Sequence, residues 1–397
     1  MPYVWQMALL TVLTIGGSTA WPEDGSPASQ VSAEEILDAL LAAPLAPTKA
    51  PAWRTELDLR QGVGYAKNVL YSPFYEQNSP FSISEAELFI QRQSASMHRL
   101  SVYALGSHRH YVDVEPDDGE YNAFAQGEWE YQPNSRSSCG VDAHYQFFDQ
   151  FFDASTSDVE LNSTRLKQHD LGANTFARYA VLPHLTARVA GGYKAAFIDD
   201  STDDFQQTEA ETSIEGQPHS ALTLALTYHY TFDDYDERPK RTGSGELIAE
   251  EVAAIASHEF GLNGTWYADA TRNWRLRWRL SQRQSDDNGG GYYDYDSWQS
   301  AISLRRRIGR WSADVRGNYT DTQYDQRPSD ILDPASEPLH RQRWDLGLRV
   351  ERTLVRRWSL FADISWEDND ANTPMDVYNH VTSAIGVGFN VIETETR

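Results

Sequence analysis

The chain has 397 residues, with 34 Lys and Arg against 58 Asp and Glu and a formal net charge of −24. Aromatic residues reach 12%, too many for an acidic disordered chain. The negative balance excludes nucleic acid as the main partner, because duplex binding rests on neutralising phosphates with Lys and Arg. Beyond the N-terminus no apolar run approaches the length of about eighteen residues that a membrane-spanning helix needs.

Residues 1–20 read as a secretory signal. Met7 to Gly16 form an apolar stretch of suitable length, and Ser18 and Ala20 supply the small residues of a cleavage site. Residues 21–53 follow as an N-terminal periplasmic segment. Within it Ser32 stands at an N-cap position ahead of Ile36, Leu37, Leu40 and Leu41, an amphipathic spacing that predicts one short helix, or a plug, ended by Pro44, Pro47 and Pro51. The single cysteine, Cys139, rules out an intramolecular disulfide and a cysteine-based zinc site, and reads as a small residue on a strand.

From residue 54 to 397 the apolar period is two. Leu57, Leu59, Val63 and Tyr65 alternate with Asp58, Arg60, Gly62 and Gly64. Leu222, Leu224, Leu226 and Tyr228 alternate with Thr223, Ala225 and Thr227, and Trp344, Leu346, Leu348 and Val350 with Asp345, Gly347 and Arg349. Side chains alternate faces along a strand, so each segment has one apolar and one polar face. About sixteen such segments occur, the eighth (205–215) being the weakest, with Phe205, Ala210 and Ile214 as its apolar positions. Their links alternate between tight turns, such as Ile308–Gly309, and long polar loops, such as 285–294 and 323–340. That sorting predicts an all-β fold, a transmembrane antiparallel up-and-down barrel with short periplasmic turns and long outer loops. Three turns also place a tryptophan at the first lipid-facing position, Trp274, Trp311 and Trp358, beside Arg272, Arg310 and Arg357, as membrane-interface anchors.

In these features the chain resembles porin-like outer-membrane β-barrel proteins of Gram-negative bacteria, over about residues 54–391. Gly62-Val63-Gly64-Tyr65 with Asn68-Val69-Leu70 also looks like the first strand of several poorly characterised barrel families, some linked to exopolysaccharide export. The resemblance implies residence in the outer membrane, contact with its lipid and insertion by the outer-membrane assembly machinery. That machinery ordinarily reads an aromatic at the end of the last strand. Here Val381, Ile385, Val387 and Phe389 fit that strand, but Ile392 to Arg397 follow it, so the signal is internal or atypical. The oligomeric state stays open.

With apolar residues toward lipid, the alternate residues line the lumen. Glu85, Glu87, Glu128, Glu130 and Asp142 form an acidic wall, and Arg275, Arg277, Arg279, Arg305, Arg307 and Arg316 a basic one. Strands eight apart in a sixteen-strand barrel are roughly opposed, so the walls should face each other and set a transverse field that orients solutes and selects ions. Paired instead, the same charges would fill the lumen. Loop 233–256 contains a helix-like run, Glu246 to Ile255, that could fold inward as a constriction or outward as a cap.

Acidic clusters in the outer loops, including Asp286, Asp287, Asp294 and Asp296, read first as solvated surface. Asp368, Asp370 and Asp376 have a spacing loosely like a calcium loop without its glycine, and loop-bound Ca2+ is the sole cofactor they suggest. His108 and His110 share a face but lack a third metal ligand, while His144, His229 and His380 have no nucleophile context for hydrolysis. No enzyme is expected. The sequence points to a passive outer-membrane channel for small polar solutes or ions, with a non-conducting barrel serving exopolysaccharide or surface-protein export as the alternative.

Overall fold

The structure is a computed structural model that describes residues 53–92, 97–114, 119–153, 163–199, 203–330, 333–355 and 357–395. The signal sequence and the helix or plug expected over 32–41 lie outside the described residues. Sixteen strands follow one another: β1 (Trp53–Lys67), β2 (Ser79–Arg92), β3 (His98–Tyr111), β4 (Gly119–Asn134), β5 (Ser137–Asp153), β6 (Ser163–Leu182), β7 (Leu185–Ile198) and β8 (Phe205–His219) make the first half. The second half is β9 (Leu222–Arg241), β10 (Leu247–Tyr267), β11 (Trp274–Asp287), β12 (Tyr295–Ile308), β13 (Trp311–Pro328), β14 (Pro338–Val355), β15 (Trp358–Ala371) and β16 (Tyr378–Glu395). Every strand pairs antiparallel with its chain neighbours, and β1 pairs with β16 to close the barrel. Closure leaves no sheet edge exposed, the condition for a β-structure in hydrocarbon.

The two-residue period sorts the side chains as the sequence predicts. Leu59, Val63, Leu171, Val189, Leu226, Leu280, Ile302, Leu346, Ile364 and Ile385 all stand exposed on the outer surface. Arg60, Glu85, Glu87, Arg109, Glu130, Asp142 and Arg277 are buried on the inner one. Aromatic residues bound the aliphatic zone. Trp311 and Tyr319 on β13 are eight residues apart, as are Trp358 and Trp366 on β15. At ~3.3 Å per residue and a tilt of ~40°, that is an apolar height of roughly 20 Å, close to the band of an outer-membrane barrel.

The tryptophans at the turn end find their partners across the ladder. The cross-strand register sets Trp274 opposite Arg306 and Trp311 opposite Arg352. Their guanidinium carbons lie 4.3 Å and 5.1 Å from the respective ring centres. Arg272, in the turn before β11, lies over Tyr267 at 4.8 Å, and Trp358 packs against Phe389 at 4.9 Å. Cross-strand partners share a face, so these cation–π contacts of Trp274 and Trp311 form across the ladder.

Three expectations are corrected. Loop 233–256 is neither an inward helix nor a cap: β9 and β10 continue through most of it as a long hairpin, with the helix-like run taken up into β10. Glu250 holds a positive φ of 61° and the ladder shifts register between Leu247 and Ala254, so the run is an irregular strand. Ile392 to Glu395 are the end of β16, paired with Trp53–Glu56, rather than a tail after the barrel. In β8 the three apolar positions are not one face: Ile214 is exposed outside, while Phe205 is buried in a cluster with Ala196, Tyr235, Ala253, Ile255, Tyr292 and Tyr293.

Candidate functional site: the charged lumen

Sixteen strands about 4.8 Å apart and tilted by ~40° enclose a cylinder of about 30 Å diameter between backbones, too wide for side chains alone to fill. The charges inside divide into two sectors.

The first sector runs over β14, β15, β16, β1 and β2. Glu85 and Glu87, from the predicted acidic wall, face not an opposed wall but arginines within a few strands. Arg60 reaches Asp58 at 2.9 Å, Glu85 at 3.7 Å and Glu87 at 3.8 Å. From β14, Arg349 reaches Glu85 at 3.4 Å and Asp363 at 2.8 Å. This is an alternating lattice of acid and base, which corrects the single-sign wall. A purely apolar patch continues it: Phe81, Ile83 and Phe361 are buried on the inside. Phe361 lies over Gly62 and Gly386, where an added Cβ would stand 3.1 Å and 2.6 Å from the ring edge and 2.8 Å or less from backbone oxygens of β16 and β1. Glycine is required there because the aromatic ring occupies the space a side chain would fill.

The same local chemistry explains the Asn68-Val69-Leu70 run. After β1 the chain turns back over the mouth, with Val69 and Leu70 fully buried beside Phe81, Tyr111 and Phe151. Asn68 holds the turn by donating to the carbonyl oxygens of Ser72 at 2.9 Å and Asn379 at 3.1 Å, and by accepting from Ser72 N–H. Tyr71, at φ 53°, stacks on His380 at 4.3 Å. Burial pushes the Tyr71 hydroxyl well above the ordinary tyrosine value, with the Glu367 carboxylate adding to the rise, so it is a neutral packing group. His380 donates from Nδ1 to the Asn68 carbonyl oxygen at 3.0 Å and is a structural residue of the turn.

The remaining members of the acidic wall lie on β4 and β5. Glu130 pairs with Arg178 at 2.9 Å and Arg99 at 3.8 Å. Asp142 accepts from Asn174 at 3.3 Å and stands 3.8 Å from His144. Glu128 is inward beside them, opposite Asp142 in the ladder.

The second sector covers β10 to β13 and contains all six predicted arginines. Arg275 lies directly across from Arg305, Arg277 from Ser303, and Ser303 from Arg316, so they share the inner face. Arg279 is paired with Glu259 and Arg316 with Asp314. Arg283, not singled out from sequence, is also inward and donates to Ser257 at 3.1 Å. Between the Ser257–Ser285 contact and the turns, the inward positions of these four strands carry seven arginines and two carboxylates, Glu259 and Asp314.

Above this sector the outer loops pack as alternating rings and guanidinium groups. Arg238 lies 4.5 Å from the Tyr235 ring centre and 4.4 Å from that of Tyr293, and Arg327 lies 5.3 Å from both Tyr292 and Tyr324. Asp287 caps loop 288–294 by accepting from the N–H groups of Gly289, Gly291 and Tyr293. Part of the acidic loop composition therefore serves loop geometry.

The calcium-like carboxylates are not gathered. Asp368 and Asp370 belong to β15, where Asp368 accepts from Asn379 at 3.0 Å, while Asp376 sits in a 3-10 turn over Pro374–Asp376 and pairs with Arg341 at 3.4 Å. Among the described residues no three metal-ligating groups converge. His108 stacks on Tyr121 at 4.3 Å, on the outer surface with His110. Cys139 is an exposed residue of β5.

Residues 291–397 match DUF481, a protein family of unknown function. No curated protein matches the sequence. Solved structures of similar architecture include OccAB3 of Acinetobacter baumannii, at 12% identity and a TM-score of 0.41, covering 86% of this chain and 99% of that one. Pseudomonas aeruginosa OprD follows at 12% identity and a TM-score of 0.40, with 87% and 97% covered. CdiB from Acinetobacter baumannii has 12% identity and a TM-score of 0.44, with 85% and 60% covered. The sixteen-strand closure rests on the chain's own strand pairings.

Proposed function

We propose that this protein is a porin-like channel of the outer membrane for passive diffusion of small polar solutes or ions. One observation carries the reading: an outer surface that is apolar between two aromatic boundaries encloses an inner surface lined with ionised side chains. Only a barrel with lipid outside and water inside makes that inversion favourable, because burying unpaired charge costs far more than a strand can return. The arginine sector gives the passage a local positive potential and a preference for anionic solutes. The N-terminal signal supports export, and the outer-membrane assembly machinery and lipid are the partners this function needs.

The test is single-channel conductance of the purified barrel in a planar bilayer. Discrete steps are expected, with a reversal potential that shifts toward cation selectivity in Arg277→Glu/Arg305→Glu. A folded barrel without conductance would sink the channel reading in favour of an accessory role in export, for which the ion-paired lattice around Glu85 is the favouring observation.

A further inference from the structure

The outer wall of the barrel carries a charge pattern of its own at the turn end. Consecutive strands place tryptophan and arginine by turns at that level: Trp274 on β11, Arg306 on β12, Trp311 on β13, Arg352 on β14 and Trp358 on β15. The register fixes them on one face, since Arg306 stands across from Trp274 and Ala313, and Arg352 across from Trp311 and Leu360. Trp311, Trp358 and Leu360 are exposed on the outer surface, and so are both arginines. An arginine aimed at hydrocarbon is costly, but the cost fades toward the membrane interface, and its long stem lets the charged head reach headgroup level.

The rings hold those heads in place. Arg306 lies 4.3 Å from the Trp274 ring centre and Arg352 5.1 Å from that of Trp311. A cation–π contact uses the ring face and consumes no N–H donor, so it leaves intact the planar fork through which a guanidinium meets a phosphate in two parallel hydrogen bonds. The turns beneath have the same sign. Residues 268–273 and 309–310 supply Arg272 and Arg310 against Asp269, whose carboxylate accepts from Thr271, Asn273 and Trp274 within its own turn. Arg310 donates to the Leu354 carbonyl at 3.0 Å, and its own carbonyl accepts from the Thr353 N–H at 2.9 Å, which ties the β12–β13 turn to the end of β14 beside Arg352. The opposite wall differs: at this level β4 to β9 present the uncharged Tyr131, Cys139, Tyr179, Leu185 and Leu222.

We propose that this belt on β11–β15 binds the phosphates of anionic glycerophospholipids in the leaflet that meets the turn end, with Arg306 and Arg352 as the anchoring cations. The tryptophans pack against the region between headgroup and acyl chain, where their amphipathic rings are favoured. Charge sets the selection. A zwitterionic lipid holds its own ammonium beside the phosphate and gains less from an arginine, whereas an anionic headgroup brings an uncompensated charge to it. The inference rests on the barrel spanning a membrane, as proposed above, and not on its conducting.

The test is native mass spectrometry of the full chain, released from detergent micelles that hold phosphatidylglycerol and phosphatidylcholine in equal amounts. The unaltered protein is expected to retain phosphatidylglycerol severalfold over phosphatidylcholine. Arg306→Gln/Arg352→Gln should abolish the preference, and Arg306→Lys/Arg352→Lys, which keeps the charge without the fork, should recover part of it. Arg136→Gln removes an exposed arginine from the β4–β5 turn of the opposite wall and should leave the preference unchanged. Equal retention of the two lipids by the unaltered protein, a lysine pair no better than the glutamine pair, or an equal fall in Arg136→Gln overturns the proposal. So does displacement of the bound lipid by inorganic phosphate, which would mark a simple anion site. A chain that retains neither lipid and stays in solution without detergent removes the membrane reading itself, whereas equal retention of both lipids removes the belt alone.

Discussion

The two sectors of the inner wall use the same residue types for different ends. Around β14 to β2, Asp58, Arg60, Glu85, Arg349 and Asp363 alternate in sign and are buried in one another's fields. Around β10 to β13, like charges stand directly across the ladder, Arg275 against Arg305. A lattice of alternating sign is neutral at short range and holds strands in place. A sector with seven arginines to two carboxylates projects a net positive potential into the lumen. Composition alone does not separate the two, because both are rich in inward arginine.

The largest expected effect comes from breaking the lattice. Glu85 serves two arginines from different strands, and it is only 6% exposed. Glu85→Ala leaves both guanidinium groups short of a carboxylate in a buried setting, and removal of one partner from such a network costs about 3–5 kcal/mol. Urea titration of the barrel in detergent, read by tryptophan fluorescence, should show that loss. Arg275→Ala in the other sector should change stability by less than about 0.5 kcal/mol, because it also removes a like-charge opposition. Equal losses at the two positions would erase the distinction between the sectors.

Next comes the apolar part of the lattice sector. Phe361 is 5% exposed and covers two glycines on adjacent strands. Phe361→Ala should cost about 3 kcal/mol, toward the lower end for a buried aromatic because water can enter from the lumen. Gly386→Ala should be as damaging, since its Cβ would meet the Gln61 carbonyl and the Phe361 ring. The same urea titration measures both, and a neutral Gly386→Ala would show that the ring is free to move aside.

Much of this was legible from period two and link length. Strand number, the alternation of faces and the inward position of all six arginines follow from counting residues along strands. What was hidden depends on partners across the ladder. The guanidinium partners of Trp274 and Trp311, Arg306 and Arg352, come from the register across the ladder. The acidic wall failed for the same reason: β14 lies far from β2 in sequence yet only four strands away around the closed barrel, so Arg349 reaches Glu85. Phe205 broke the assumption that apolar means lipid-facing. A signal was available in part, since inward Gly62 and Gly64 leave open the space that an aromatic ring then occupies.

The smallest expected effects separate the two ends of the molecule by pH. At the turn between β10 and β11, Asp269 is half-buried. Desolvation, the largest single cause, is outweighed by the combined hydrogen bonds from the Thr271 hydroxyl and the N–H groups of Trp274 and Asn273, which hold its carboxyl below the ordinary value. Its contribution is therefore present above about pH 4 and lost as pH falls through the depressed value. In the outer loop, burial raises Asp294 above the ordinary value, and the carboxylates of Asp287, Asp286 and Asp325 add to the rise against one hydrogen bond from the Asp287 N–H. The folded loop then binds its proton more readily than the unfolded chain, so its stability increases as pH falls through that raised value and declines again above it. Hydrogen-exchange protection factors, corrected for intrinsic rate, should thus move in opposite directions between pH 6 and pH 3, falling at Asn273 and Trp274 and rising at Gly291 and Tyr293. Asp294→Asn should flatten the outer response while leaving the turn untouched. A parallel loss of protection at both ends would mean that acid loosens the barrel as a whole, and that the lattice around Glu85, with carboxylates on β1, β2 and β15, governs the pH response in place of the two local carboxyl groups.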